Sequence, residues 1–220
     1  MKQRYESKEK NMAKQIEGVY EKVIACAKAE FLEKGYINAS LRNIASDAGT
    51  TTGSIYTRFG DKEGLFEAIV GENAEELLQA YLQIQKDFHN FDKQVQMDSM
   101  AVYTNGEAEH LIDYIYDHFD VFRLLICCAN GTKYEDFIDQ FIDIEVEYTY
   151  KYIQIIGCES IQNGSITEDF LHIIISSYSN GFFEVVRHNM SREEAKKYNR
   201  QLGRYHRAGF ETIFWPQENL

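Results

Sequence analysis

An all-α fold is predicted for this chain of 220 residues, with a small N-terminal module joined to a larger helical body. The single proline, Pro216, lies near the end, so no proline interrupts a helix in the interior. Apolar residues recur with the period of a helix, and Ser, Thr and Asp stand where helices can start. The length fits one small domain and one larger domain, and we place them at residues 1–61 and 62–220.

The first helix is predicted from about Lys14 to Lys34, and Gly35 follows it as a stop. Its inward face is a stripe of apolar residues spaced three and four apart, namely Ile16, Val19, Tyr20, Val23, Ala27 and Phe31. The second helix is expected to be about two turns long. Ser40 stands as its N-cap, the apolar residues after it keep the helical spacing, and Gly49 ends it.

A third helix completes the N-terminal module, and a fourth follows it. Thr51 is expected to cap a third short helix whose inward residues are Ile55 and Phe59. Asp61 can cap a fourth helix that begins at Lys62 and opens the larger domain. Two short helices joined by a tight turn predict a three-helix module of the helix-turn-helix type, in which the second helix of the pair can enter the major groove of DNA.

The rest of the chain is also predicted to be helical. Breaks are expected at Asn105-Gly106, Asn130-Gly131, Gly157 and Asn163-Gly164. The last two helices, about Thr167 to Asn189 and Ser191 to Trp215, are expected to form an antiparallel hairpin. The first of them has more apolar surface than one core is expected to cover, which predicts a two-fold homodimer. The residues expected at that interface are Leu171, Ile174, Ile175, Tyr178, Gly181, Phe182 and Val185.

The net charge of −12 is unevenly distributed along the chain. Up to Gly60 there are ten Lys and Arg against seven Asp and Glu, a net of +3, so the remainder carries −15. A mildly basic module can bind phosphate despite an acidic body, because charges act strongly only within a Debye length of ~8–10 Å. An acidic solvated surface without a partner accounts for the body but not for this N-terminal excess.

The outward face of the third helix consists almost wholly of hydrogen-bond donors, and Gly53 lets a neighbour approach the backbone closely. Lys62 stands in the first turn of the fourth helix, where the helix dipole disfavours a cation. A phosphate bound at that position would make the electrostatic interaction favourable, since the ammonium and the helix amides would both face the same anion. Arg42 and Arg58 could instead be solvated or pair with Asp47 or Asp61.

Residues 41–65 are LRNIASDAGTTTGSIYTRFGDKEGL. This stretch resembles the signature of the TetR (TetR/AcrR) family of transcriptional regulators, in which an I-A-x-x-A-G run precedes a Gly-containing recognition helix and then Y-x-x-F-x-x-K-E-x-L. The resemblance covers about Ile16 to Val70, and it departs from the pattern at Thr50 and Arg58.

The resemblance implies a repressor that binds a palindromic operator in double-stranded DNA as a dimer and is released by a small molecule. It implies a recognition helix from Thr51 to Phe59, Tyr56 and Lys62 on phosphates, and Ser40 and Arg42 on the opposite strand's backbone. The DNA-binding residues expected are Ser40, Arg42, Thr51, Thr52, Gly53, Ser54, Tyr56, Thr57, Arg58 and Lys62. The alternative is a helical small-molecule-binding protein or an enzyme whose helix-turn-helix is only structural.

Aromatic residues crowd the acidic domain, and tyrosines exceed what a sealed core favours because each buried hydroxyl needs a partner. An aromatic cavity with a few polar groups is typical of small-molecule pockets, and nearby acidic residues favour a cationic or polar ligand. The candidates for the effector site are Tyr103, His110, Tyr114, Phe122, Tyr148, Tyr152 and Tyr178. A sealed core without an effector is the alternative.

No catalytic constellation stands out, so the chain is not expected to be an enzyme, and no cofactor or catalytic residue is assigned. His110, Asp113, Asp117 and His118 are close in sequence but do not all share one helical face, so isolated surface residues are favoured over a metal site. The four cysteines lack C-x-x-C spacing and are expected to be reduced thiols. Neither a signal peptide nor an apolar run of membrane-spanning length occurs, which predicts a cytoplasmic protein with no membrane partner.

Overall fold

The computed structural model describes residues 2–158, 163–164 and 166–214, and every regular element within these ranges is a helix. The predicted all-α fold class is therefore confirmed. The helices are α1 (Lys2–Asn38), α2 (Leu41–Asp47), α3 (Thr52–Phe59), α4 (Lys62–His89), α5 (Lys93–Asp117), α6 (Phe119–Arg123), α7 (Phe137–Ile156), α8 (Glu168–Arg187) and α9 (Arg192–Phe214). One π-helical turn, Leu124–Cys128, continues α6.

The helix starts follow the caps that the sequence predicted. Ser40 Oγ accepts a hydrogen bond from the Asn43 amide at 3.4 Å, and Thr51 Oγ1 accepts one from Ser54 at 3.1 Å. Each bond satisfies an amide that has no partner within its own helix. The same kind of bond is made by Asp61 to Gly64, by Thr167 to Phe170, and reciprocally by Ser191 and Glu194.

Two sequence predictions of helix boundaries were wrong. Helix α1 begins at Lys2 rather than near Lys14, because the added segment contains no Gly or Pro and is rich in residues with high helix propensity. Helix α5 runs through the predicted break at Asn105-Gly106, since its C-terminal half is anchored by buried apolar residues, and packing outweighs the propensity penalty of one glycine. The predicted end of α9 at Trp215 lies outside the described residues.

The first compact unit consists of the chain up to Asn73 together with Asp120–Glu135. Helix α1 packs against α2 and against the π-helical turn, while α2 packs against α3. Phe31, Ile44 and Phe66 have no exposed surface and form its core. The later segment is held by a hydrogen bond of 3.0 Å from the Lys133 amide to the Glu63 carboxylate.

The second compact unit consists of Ala74–Phe119 and the chain from Asp136 onward. Helix α5 packs against α9 and α7, α7 packs against α8, and α8 packs against α9 as the predicted hairpin. Gly181 faces Leu202 so closely that an added Cβ would lie 3.2 Å from a leucine methyl group. A glycine at this position therefore brings the two helices of the hairpin together. None of the helices in the described part of the chain has the length and apolar character needed to cross a membrane.

Candidate nucleic-acid interface and ligand cavity

Helix α3 is fixed by its inner face. Ile55 is 1% exposed, and the Phe59 ring stacks on Tyr20 of α1 with centroids 5.8 Å apart. The Arg58 guanidinium lies over the other partner in this stack, 4.2 Å from the centre of the Tyr20 ring. The electrostatic attraction between a cation and an aromatic face orients the Arg58 side chain. Arg58 is nevertheless exposed to solvent. The apolar contacts leave the polar face of α3 outward.

Nine of the ten predicted DNA-binding residues lie on α2, on α3 or at their N-caps, and the tenth, Lys62, is the first residue of α4. Tyr56 is 53% exposed, although it belongs to a residue type that is usually at least half buried. The Thr57 hydroxyl donates to the Gly53 carbonyl at 2.8 Å, so its single donor hydrogen is used within α3. Arg42, Thr51, Gly53, Ser54, Tyr56, Thr57 and Arg58 are exposed, and Ser40, Thr52 and Lys62 are half-buried.

Lys62 has a role that the sequence did not indicate. Its ammonium donates to the carbonyls of Tyr36, Ile37 and Ala39 at 2.7, 3.0 and 3.3 Å. The same group lies 4.5 Å from the centre of the Tyr36 ring, and burial lowers the pKa of the Lys62 ammonium. These carbonyls follow Gly35, whose φ of 72° bends the end of α1. Lys62 thus ties the start of α4 to the end of α1.

Glu30 is a positioning residue that sequence reasoning missed. Its side chain is 7% exposed and pairs with Lys34 at 2.9 Å. It also accepts from the Ser40 amide at 3.0 Å and from the Asn43 side chain at 3.2 Å. These hydrogen bonds, the one from Lys34 above all, lower the pKa of Glu30. The available signal was a carboxylate three residues after Ala27, at the edge of the apolar stripe of α1.

A cavity lies within the second unit, among α4, α5, α7 and α8. It is partly open to solvent. Its wall is largely aromatic and aliphatic, with Tyr81, Phe141, Tyr178 and Phe182 among the rings. A predominantly apolar concave space with a few polar groups is the usual form of a small-molecule site.

One cluster of polar groups lies in the wall of this cavity. The Tyr81 hydroxyl donates to the Glu145 carboxylate, and the Gln85 amide donates to the same oxygen at 2.7 Å. Burial raises the pKa of Glu145, and the two hydrogen bonds act against that rise. Burial likewise raises the pKa of Tyr178 to about 12, with the Glu145 charge acting in the same direction and Arg207 in the opposite one.

The structure places only Tyr178 of the seven predicted effector residues in the wall of this cavity. Tyr103 and Tyr152 pack on Phe88, with ring centroids 5.4 and 6.1 Å apart. The other four lie elsewhere. Tyr148 packs against His89, and Tyr114 donates a hydrogen bond to Glu76. Phe122 is buried in the first unit, and the His110 side chain is largely exposed. Tyr81 and Glu145 were missed because they are 64 positions apart in sequence.

The predicted dimer residues divide into two groups. Leu171, Ile175 and Val185 are at most 1% exposed, so they form the core of their own subunit. Gly181 faces Leu202 of the same hairpin, and Tyr178 and Phe182 line the cavity. Ile174 is half-buried. The apolar residues that the hairpin leaves exposed are Phe170, Ile173 and Tyr205.

The polar residues considered for a metal site are occupied in other ways. Asp113 pairs with Lys196 at 2.7 Å, and Asp117 pairs with Arg192 at 2.5 Å. His118 packs on the Tyr114 ring. In the part of the chain that the structure describes, no three His, Cys, Asp or Glu side chains are grouped closely enough to hold a metal ion.

Comparison with known proteins agrees with this architecture. The family described as "Bacterial regulatory proteins, tetR family" matches residues 23–69. The HTH-type transcriptional regulator YvdT of Bacillus subtilis strain 168 is 30% identical over 162 residues, which are 71% of this chain and 74% of YvdT. The HTH-type transcriptional repressor BepR of Brucella suis biovar 1 is 41% identical over 51 residues, 23% of this chain and 24% of BepR.

The fold is also similar to a solved structure. SmeT, the repressor of the Stenotrophomonas maltophilia multidrug efflux pump SmeDEF, superimposes with a TM-score of 0.58 at 18% sequence identity. The superposition covers 86% of this chain and 88% of SmeT.

Proposed function

This chain belongs to the TetR family of bacterial regulatory proteins, and we propose that it is a repressor that binds a palindromic operator as a dimer and is released by a small molecule. One observation supports the proposal most directly. The inner face of α3 is pinned by Ile55 and Phe59, while its outer face presents an exposed row of hydroxyl, phenol and guanidinium groups. Such a surface can donate to base edges and to phosphate oxygens in the major groove.

The flanking groups would position α3 on the duplex. The exposed Arg42 side chain at the start of α2 is placed to meet a phosphate, as is Tyr56 on α3. Phosphate contacts fix the orientation of the protein on DNA, and base contacts give the sequence preference. The predicted phosphate contact of Lys62 would require its ammonium to leave or share the three carbonyls it now binds. We therefore assign Lys62 first to positioning α1 and α4.

The operator can be found by sequencing the genomic DNA fragments that the purified protein retains.

The variant that tests the role of α3 in DNA binding is Ser54→Glu. Thr51 is the N-cap of α3 and Ser54 stands three residues later, so a glutamate at that position completes a capping box and favours the helix. The same carboxylate would face the phosphates, so operator affinity should fall at least tenfold with no loss of folded stability.

Gln79→Glu is the matched control for this variant. Residue 79 is exposed on α4 in the second unit, so the added charge is the same and the surface is different. Fluorescence anisotropy with the identified operator measures both variants. Unchanged affinity of Ser54→Glu would contradict the assignment of α3 as the recognition helix.

Dimer formation is proposed through the exposed apolar residues of the α8–α9 hairpin. Ile173 is 62% exposed and Tyr205 is 76% exposed, values that are unusual for such large apolar groups. Two copies of the hairpin would form a four-helix interface with two-fold symmetry, and a palindromic operator would match that symmetry.

Release by an effector is proposed through the cavity of the second unit. Helix α4 begins at Lys62 in the first unit, and its residues Leu77 and Tyr81 line the cavity. A ligand that prefers an α4 position different from the DNA-bound one must bind the free protein more tightly than the complex. Such coupling typically changes affinity by ~5–150-fold, and the operator lowers ligand affinity by the same factor. Titrating the effector with and without operator measures both sides of this reciprocity.

A further inference from the structure

The Glu145 carboxylate has hydrogen-bond donors but no counter-charge. Tyr81 and Gln85 are neutral donors, and Glu145 makes no ion pair within the described part of the chain. Removing a carboxylate from water without a cationic partner is unfavourable, and proteins usually pair such a charge or leave it protonated. Glu145 is half-buried, and among the described residues it lacks a cationic partner that would offset this partial loss of hydration.

The rest of the described cavity wall also lacks positive charge. A second carboxylate, Glu107, lies in its wall, and no Lys, Arg or His belongs to that wall among the described residues. Three basic residues act on the wall from outside it, and the first, His110, has its Nδ1 3.5 Å from the Glu107 carboxylate. Arg207 is close enough to Tyr178 to lower that residue's pKa, and His206 packs on the Tyr178 ring with centroids 5.0 Å apart. Burial lowers the pKa of His206, which favours its neutral form.

We propose that this cavity binds a small organic cation with an aromatic or branched apolar body, and that Glu145 binds its positive charge. The inference rests on the proposed function only in taking the cavity as the effector site. It goes further by assigning the chemical class of the effector. An anion of the same shape would face two carboxylates, and a neutral molecule would leave Glu145 without a counter-charge.

The surrounding groups fit this ligand class. Tyr81 and Gln85 hold one carboxylate oxygen from the same side, which fixes the carboxylate while its second oxygen makes no hydrogen bond within the described residues. The side chains of Tyr81, Phe141 and Phe182 provide aromatic and apolar surface for the body of the ligand. The cavity is partly open to solvent, so a ligand held there could leave one end exposed.

Three probes with one hydrocarbon body and different charges test the assignment by isothermal titration calorimetry. They are para-tert-butylbenzylammonium, para-tert-butylbenzyl alcohol and para-tert-butylbenzoate. We expect the ammonium to bind at least tenfold more tightly than the alcohol, and the benzoate more weakly than both. Equal affinity for the ammonium and the alcohol would overturn the proposal, and so would failure of the ammonium to bind.

The variant Glu145→Gln keeps the shape of the side chain and an acceptor for Tyr81 and Gln85 but removes the charge. It should lower the affinity for the ammonium at least tenfold and change that for the alcohol less than twofold. Glu147→Gln is the matched control, because Glu147 is on the same helix and exposed, and it pairs with Lys151 outside the cavity. Retention of the ammonium preference by Glu145→Gln would contradict the role of this residue.

A second variant compares the two carboxylates of the cavity wall. Glu107→Gln leaves the Glu145 cluster intact and should lower ammonium affinity by a smaller factor than Glu145→Gln. Thermal melting verifies that each variant is folded. Ligand class and regulation are measured independently, since calorimetry uses the protein alone. A cation that binds without changing operator affinity would leave the assignment intact and contradict the proposed release mechanism.

Discussion

Replacing Lys62 by methionine tests which of two roles this residue has. The substitution keeps most of the aliphatic stem but removes the ammonium and its three hydrogen bonds to the carbonyls of Tyr36, Ile37 and Ala39. Part of the loss is recovered, because water can reach the exposed Ile37 carbonyl. We therefore expect a destabilisation of about 2 kcal/mol, near the middle of the range for hydrogen bonds that involve a charged group.

Urea unfolding followed by far-ultraviolet circular dichroism measures this effect. With a slope of about 2 kcal/mol per molar urea, a loss of about 2 kcal/mol lowers the midpoint of the DNA-binding unit by roughly 1 M. The salt dependence of operator binding provides the second observable. A lysine that neutralises one phosphate contributes about 0.9 to the slope of log affinity against log salt concentration, and a lysine that only joins α1 to α4 contributes nothing.

The expected result for Lys62→Met is a lower urea midpoint with an unchanged salt slope. Lys86→Met is the control, since Lys86 is an exposed lysine in the last turn of the same helix. An unchanged midpoint together with a slope reduced by about one would refute the reasoning, because it would mean that the ammonium leaves the carbonyls to bind phosphate.

Three further predictions concern the anchor of α2, the recognition helix and the dimer. Glu30→Gln should destabilise the protein by ~1–2 kcal/mol at neutral pH. Because the pKa of Glu30 is lowered in the folded protein, the stabilisation that its carboxylate provides is complete above the ordinary pKa of 4.5 and disappears as the pH falls through the folded pKa. The urea midpoints of the parent protein and the variant should therefore converge in acid. Tyr56→Phe should weaken operator binding by about tenfold or less, the worth of one hydrogen bond, and Tyr56→Ala should weaken it more because the ring is also lost; equal losses in anisotropy titrations would exclude a packing role for the ring. Ile173→Glu should sediment as a monomer at micromolar concentration, whereas Val102→Glu, which alters another exposed apolar residue, should remain a dimer; a dimeric Ile173→Glu would place the interface elsewhere.

The helix-turn-helix could be predicted because its signals are local. Ser40, Thr51 and Asp61 each accept a hydrogen bond from an amide three residues later, and that spacing is visible in the sequence. The inward residues Ile44 and Ile55 follow the period of their helices. Residues of this kind depend on neighbours within a turn or two, so one stretch of chain contains all the information.

The cavity of the second unit could be predicted only in outline. The excess of tyrosine indicated an aromatic space, yet Tyr81, Gln85 and Glu145 meet because α4 and α7 are neighbours in space. No periodic pattern specifies which faces of two distant helices meet. The same limit applies to the predicted dimer residues. Leu171 and Val185 were expected at an interface, but other residues of the same chain bury them. Burial by the chain itself and burial by a partner select the same residue types.

The composition of the first unit has a consequence for how the protein is made. Its core includes Phe122 and Leu124, which have no exposed surface, and the π-helical turn that packs on α1. During synthesis α1 to α3 leave the ribosome long before this segment does. The growing chain must therefore wait with part of its DNA-binding module uncovered until Glu135 has emerged, at a rate of ~5–20 residues per second. A fragment cut at residue 61 or 73 would never receive that cover, so a fragment that contains the first unit must extend at least to Glu135.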